Sequence, residues 1–415
     1  MKLKKIEIHE FVTPLAKMEG KWWDIRKGYG LSQSNSYGEG VGRLFWALKL
    51  TADNGCEGLM AGRVPTGSYG SGLVGNDLNK GQDFNDTKMF DWLCSSFGEA
   101  FDAVAEYNIF DTEQILCELY ESGKNGGISE ALLDLKGNYA GLPIHQMAGG
   151  MGRKKIKAYA SSFCDMGTPD EYADHAQDCY DMGYRGYKIH PYRCLNPATM
   201  KPAGKNTAFP DWDIEICRAV KNKMGDKMKL MLDPDGIYPT LEDAIRVGRE
   251  LEKLGFYWYE APIIEREQPE RYGELRKAVK VPMCGPENAW GGFKTRVLWH
   301  QNGWTDILRP GGGFTDIIKT ATYAQAVDAR CEIHGGGFIA AQSIAIFPES
   351  VTEFYEQLLV QPGHSEFGIE EVAGSEPAFE NGFFLVPQTP GAGWGADLWP
   401  YAASNSLRHF EKTAD

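Results

Sequence analysis

The 415-residue chain has no Cys-x-x-C spacing, no basic run, no Walker-type lysine motif and no apolar stretch of membrane-spanning length. Its nine cysteines are odd in number and scattered, which argues against a disulfide framework or a zinc ribbon and fits a reducing, cytoplasmic setting. Acidic residues outnumber basic ones 57 to 43, for a net charge of −14. Nucleic acid, whose binding rests on neutralising phosphates, is therefore not an expected partner, and neither is a membrane. No signal peptide is legible, since the lysines after Met1 lead into alternating residues, Lys5 to Phe11, that read as a strand. What is present is 42% hydrophobic and 24% charged residues, enough for a large core. The length suits one α/β barrel plus a smaller domain.

Residues 1 to about 125 read as an α+β unit. Strand-like runs lie around Lys5 to Val12 and Arg43 to Lys49, a Gly-rich loop spans Gly62 to Gly75, and mixed three- and four-residue apolar spacings over Asp86 to Gly123 predict helices packed on the strands. A buried helix is expected from Ile128 to Gly137. Beyond it, β-rich runs alternate with helical stretches: Lys157-Ala-Tyr-Ala, Gly186-Tyr-Lys-Ile-His, Lys229-Leu-Met-Leu-Asp, Trp258-Tyr-Glu and Val281-Pro-Met-Cys-Gly. Repeated β-then-α units imply parallel strands with right-handed crossovers. Asp233, Glu260 and Glu287 each end such a run and follow one another at 27 residues, the length of a βα unit. Further runs ending near Asp306, His334 and Glu366 complete a (β/α)8 TIM-type barrel, and the tail from Asn381 reads as a closing strand and a wrapped terminus.

A parallel barrel gathers the C-terminal ends of its strands on one face. Three carboxylates from successive strand ends, Asp233, Glu260 and Glu287, form a hard oxygen set suited to Mg²⁺. The second strand ends Tyr187-Lys-Ile-His-Pro-Tyr-Arg193, where alternation puts Lys188 and His190 on one face. A lysine there can stabilise a carboxylate-bearing substrate, and a histidine there can accept a proton. Asp306 and His334 lie one βα unit apart, so their strand ends are expected to let the carboxylate orient the imidazole as a general acid or base. Gly391-Ala-Gly-Trp-Gly395 has no following βαβ unit and is not a dinucleotide fingerprint, and Cys284 reads as a core thiol.

The helix entry Ile128 to Gly137, followed by Gly141-Leu-Pro and Met147-Ala-Gly-Gly, the trio Asp233, Glu260 (in Tyr259-Glu-Ala-Pro262) and Glu287, and the tail Pro390-Gly-Ala-Gly-Trp-Gly-Ala-Asp together resemble the enolase superfamily. The resemblance covers nearly the whole chain and is to the mandelate-racemase-like subgroup, which holds many acid-sugar dehydratases. It implies an α+β capping domain over residues 1–125, completed by a tail of 376–415, on a modified barrel over 126–375 that binds one Mg²⁺. It implies that cap loops around Met18 to Tyr29 and Asn54 to Gly72 set substrate choice, with Trp22, Trp23 and Arg26 as contacts. By the same resemblance the Asp-His dyad maps onto Asp306 and His334, and the eighth-strand glutamate onto Glu366. Two departures stand out: strand two reads Lys188-Ile-His190 where Lys-x-Lys is usual, and strand three reads Asp233-Pro-Asp235 where Asp-x-Asn is frequent. Asp235 and Arg193 are thus expected beside the substrate.

The activity the resemblance implies is abstraction of the proton α to a carboxylate, then β-elimination of water from a sugar acid. A racemase, epimerase or cycloisomerase working through the same enediolate is the alternative, and a non-catalytic metal-dependent binding module is a third reading. The expected partner is a small carboxylate substrate, and a homo-oligomer is the expected assembly.

Overall fold

The structure, a computed structural model, describes residues 1–13, 19–31, 43–63, 87–121, 127–204, 207–266, 268–311, 313–363 and 378–414. Alternation in β1 (Leu3–Thr13) buries Ile6 and Ile8 on one face. That strand pairs antiparallel with β2 (Arg43–Ala52), which pairs with β3 (Glu57–Arg63). Helices α2 (Thr87–Val104) and α3 (Thr112–Glu121) cover the sheet. Ahead of β2, α1 (Lys21–Gly28) buries both of its tryptophans. Helix α4 (Ile128–Ala140) puts Ile128, Ala131, Leu132 and Leu135 into the core of this same sheet. Its Asp134 ties it to neighbours on both sides, accepting from Leu59 N at 2.7 Å and Ala392 N at 2.7 Å.

After a short helix α5 (Ile144–Met147) the chain enters the barrel. Its strands are β4 (Lys155–Ser162), β5 (Gly186–Ile189), β8 (Lys229–Leu232), β9 (Trp258–Glu260), β10 (Met283–Gly285), β11 (Ile307–Leu308), β12 (Arg330–Cys331) and β13 (Phe354–Leu359). A small ribbon, β6 (Leu195–Asn196) and β7 (Lys201–Pro202), projects between β5 and β8. The barrel strands pair in parallel from β4 to β12, and β13 returns to pair with β4. Between β12 and β13 the ring is bridged by Cys331 N donating to Val351 O at 2.7 Å. The eighth strand is thus Phe354–Leu359, earlier than the run expected near Glu366, which itself lies outside the described residues.

Each crossover is a helix: α6 (Pro169–Asp181), α7 (Pro210–Met224), α8 (Leu241–Leu254), α9 (Glu270–Ala278), α10 (Gly292–Gln301), α11 (Phe314–Ala326) and α12 (Phe338–Ile346). Local chemistry sets their ends. Thr168 and Glu171 form a reciprocal capping box at α6 with Pro169 behind it. Thr240 caps α8, and Gly255 ends it in the left-handed conformation that a residue without Cβ adopts cheaply. The tail forms a hairpin, β14 (Phe379–Glu380) and β15 (Phe383–Leu385), against the start of β4. A helix α13 (Leu398–Ser404) and β16 (Ser406–Thr413) follow, and β16 pairs with β1. The architecture is a capped TIM-type barrel.

The barrel interior is layered. Tyr159, Met231, Trp258, Cys284, Ile307 and Phe354 form one apolar layer from six strands. Because side chains alternate, the residue two places further along each strand points into the same lumen nearer the C-terminal face. Those positions hold Asp233 after Met231, Glu260 after Trp258, Arg309 after Ile307 and Glu356 after Phe354.

Candidate active site

The polar layer is a closed ion network. Lys188 Nζ lies 3.0 Å from Asp233 Oδ2, 3.2 Å from Glu260 Oε2 and 2.8 Å from Glu356 Oε1, with every one of these side chains at most 5% exposed. Arg309 Nε donates to Glu260 Oε1 at 2.6 Å, and its second amino group donates to Glu356 Oε2 at 2.6 Å. The remaining guanidinium donors reach Ile333 O at 2.9 Å and Tyr159 Oη at 3.1 Å. Burial opposes charge on Lys188, yet Glu260, Glu356 and Asp233 together hold it protonated well above an ordinary lysine. Burial likewise opposes the Glu356 anion, but Arg309 and Lys188 pull its carboxyl well below the usual range. Neither Arg309 nor Glu356 was expected from strand ends, although both follow an inward apolar residue by two.

Asp233, Glu260 and Glu287 offer one oxygen each within 4.8 Å of one another. Glu287 Oε2 is buried and accepts no hydrogen bond among the described residues. Burial, then the charges of Asp233 and Glu260, push the Glu287 carboxyl well up. Four carboxylates against Lys188 and Arg309 leave two negative charges in excess, the charge of one divalent cation. An orphaned buried oxygen, an all-oxygen donor set and that imbalance fit Mg²⁺. A second acidic grouping on the four-stranded sheet, Glu7, His409 and Glu411, differs because Lys5 and Lys49 bridge Glu7 at 3.2 and 3.3 Å.

Two histidines flank the trio. His190 Nδ1 lies 2.6 Å from Ser162 O, so it carries the proton there and directs Nε2 to Asp233 Oδ2 at 3.1 Å. Lys188 and His190 do share a face. His334 Nε2 stands 3.8 Å from Glu287 Oε2, and its side chain is 44% exposed. The expected Asp306–His334 pair does not form. Asp306 precedes β11 at the N-terminal end of the barrel, where its carboxylate binds Arg276 and accepts from Met283 N at 2.7 Å. His334 lies beyond the opposite end of the neighbouring strand. Against its Nδ1 packs Gly311, where a Cβ would stand 3.1 Å away.

The cap residues also fall elsewhere than expected. Trp22 is fully buried, its Nε1 donating to Asp178 Oδ2 at 3.0 Å and its ring edge-on to His175. Trp23 is 3% exposed, and Arg26, 2% exposed, donates through Nη1 to Cys164 O and Asp165 O. These residues lock α1 onto the barrel and leave a substrate no surface to touch. Of the expected cap loops, Met18 and 64–72 lie outside the described residues. Arg193 and Asp235 pair with each other on the loops after β5 and β8, and Asp235 N donates to Asp233 Oδ1 at 2.9 Å. They therefore border the trio.

The family model described as Enolase C-terminal domain-like matches residues 171–399. The chain belongs to that family. It is 27% identical over 306 residues to the D-galactarolactone cycloisomerase of Agrobacterium fabrum, covering 68% of this chain and 76% of that one. It is 24% identical over 276 residues to the arabinonate dehydratase of Saccharolobus solfataricus, covering 65% and 68%. Among solved structures, the D-glucarate dehydratase from Agrobacterium tumefaciens complexed with magnesium superposes with a TM-score of 0.76 at 23% identity, over 98% of this chain and all of that one.

Proposed function

We propose that this enolase-superfamily member is a Mg²⁺-dependent acid-sugar dehydratase. The observation that carries the reading is the carboxylate trio with one oxygen unpartnered, ringed by Lys188 and flanked by His190 and His334. The arabinonate and glucarate dehydratases among its relatives support a sugar-acid substrate.

Asp233, Glu260 and Glu287 would hold the ion, which when bound supplies positive charge to the substrate carboxylate as the α-proton leaves. Lys188, kept cationic, adds to that charge from the side of Asp233 and Glu260. With Nδ1 committed to Ser162 O, His190 exchanges protons through Nε2, and we assign it as the base that takes the α-proton. His334, on the side of Glu287, gives a proton to the departing 3-hydroxyl. Glu356, held ionised by Arg309 and Lys188, takes the role expected of Glu366 and accepts a hydrogen bond from the substrate. Arg193 and Asp235 contact the substrate's distal hydroxyls. The same proposal takes the first sheet and β16 as a capping domain on the barrel, and the chain as a homo-oligomer.

The test is ketone formation, read as semicarbazone absorbance, across a library of aldonic and aldaric acids with Mg²⁺ and with chelator. Ketone from at least one member, lost on chelation, is expected. No ketone from any member contradicts the reading. A cycloisomerase is the second reading, favoured by the D-galactarolactone cycloisomerase relative and by acid–base groups on two sides of the trio. It predicts lactone rearrangement without ketone.

A further inference from the structure

Away from the barrel mouth, α3, α4 and the first turns of α11 enclose a cavity of about 130 Å³. Leu116, Leu132, Leu133, Phe314 and Ile318 make its walls apolar, and Lys136 is the one buried cation among its lining residues. Lys136 is 5% exposed and donates to Thr112 Oγ1 at 2.8 Å. Among the described residues no carboxylate lies within ion-pair distance of its Nζ. Asp111 acts on it only from beyond pairing distance, and Glu113 on the rim is spent on Lys319 at 3.0 Å, a pair that spans α3 and α11.

An ammonium has three donors, and burying it beside leucines without an anion destabilises the fold. A Met of the same length would fill the place at no such cost. A ligand carboxylate supplies what is missing: charge, and acceptors for the unused donors. We propose that the cavity is a binding site for a short-chain aliphatic monocarboxylate, its carboxylate on Lys136 and Thr112 and its chain among Leu132, Leu133, Phe314 and Ile318. Burial also pushes the Lys136 amine down to about 8 against the opposing charge of Asp111, which is too distant to pair with it. The site is separate from the barrel mouth, though Phe314 begins only three residues after Gly311, which packs on His334.

The experiment is calorimetric titration of the full chain with hexanoate, with hexanol as the uncharged control, run on wild type, K136M and L133W. Saturable hexanoate binding is expected, with hexanol at least about tenfold weaker. K136M should lose at least about tenfold in hexanoate affinity while melting no lower than wild type, and L133W should block binding by filling the cavity with Lys136 intact. Equal affinity for hexanoate and hexanol overturns the proposal. So does undiminished binding by K136M or L133W, a K136M chain that melts lower than wild type, or wild type that takes up no hexanoate at millimolar concentration.

Discussion

At the scale of single residues, the site is governed by Arg309. Its planar fork joins Glu260, Glu356, Tyr159 and Ile333 O at once, a pattern that the point charge of lysine does not reproduce. Arg309→Met should cost about 3–5 kcal/mol in urea unfolding, because two buried carboxylates lose their partner, and Arg309→Lys should recover only part of it. At Gly311 the opposite change is informative. Gly311→Asp would place a carboxylate against His334 Nδ1 and should move the His334 titration, followed by NMR, to higher pH. The convergence of the three carboxylates was legible because three acids end runs at one spacing. Arg309 and Glu356 were not, since neither is an acid closing a β-rich run; each instead follows an inward apolar residue by two, a position that Asp306 does not occupy. An apolar run such as Phe354–Leu359 hides its glutamate among leucines and aromatics.

At the scale of elements, β5, α6 and β13 are tied through His175. Its Nε2 donates to Val360 O at 2.8 Å, and its Nδ1 lies 2.7 Å from Tyr187 Oη, whose hydroxyl can donate to the neutral ring. Burial lowers its pKa to about 4, from 6.5 for a free histidine. Between those values the unfolded chain binds the proton and the folded chain does not. Stability from this residue is therefore intact above pH 6.5 and falls as pH drops towards 4, by about 1.4 kcal/mol per pH unit. Urea unfolding across that window should show the slope, and His175→Gln should flatten it. Helix α1 depends on the same corner: Trp22→Ala should cost about 3–5 kcal/mol and loosen α1 in hydrogen exchange. The βα alternation made the barrel readable, but the docking of α1 was not, because a Trp-Trp-x-x-Arg stretch suits a substrate contact and a buried anchor equally. Only the partners, Asp178 and the carbonyls after β4, decide between them.

At the scale of the whole molecule, an excess of buried negative charge would link stability to the proposed Mg²⁺. Mg²⁺ should raise the melting temperature, by a free energy of about 2.7 kcal/mol at a hundredfold excess over Kd. Glu287→Gln should abolish that response while stabilising the metal-free chain, since it removes the carboxylate that burial and its neighbours oppose. A chain whose melting ignores Mg²⁺, or a Glu287→Gln variant that responds like wild type, would count against the ion site. Among the described residues no helix is long and apolar enough to cross a membrane. The division of labour between the two histidines is tested most directly by proton NMR in D₂O, with Mg²⁺ and a sugar acid that the wild type turns over. Wild type should give a 2-keto-3-deoxy product, His334→Asn α-hydrogen exchange without net loss of water, and His190→Asn neither exchange nor product. Exchange at the α-carbon that survives in His190→Asn, or wild-type exchange with no loss of water from any acid, would contradict this division of labour.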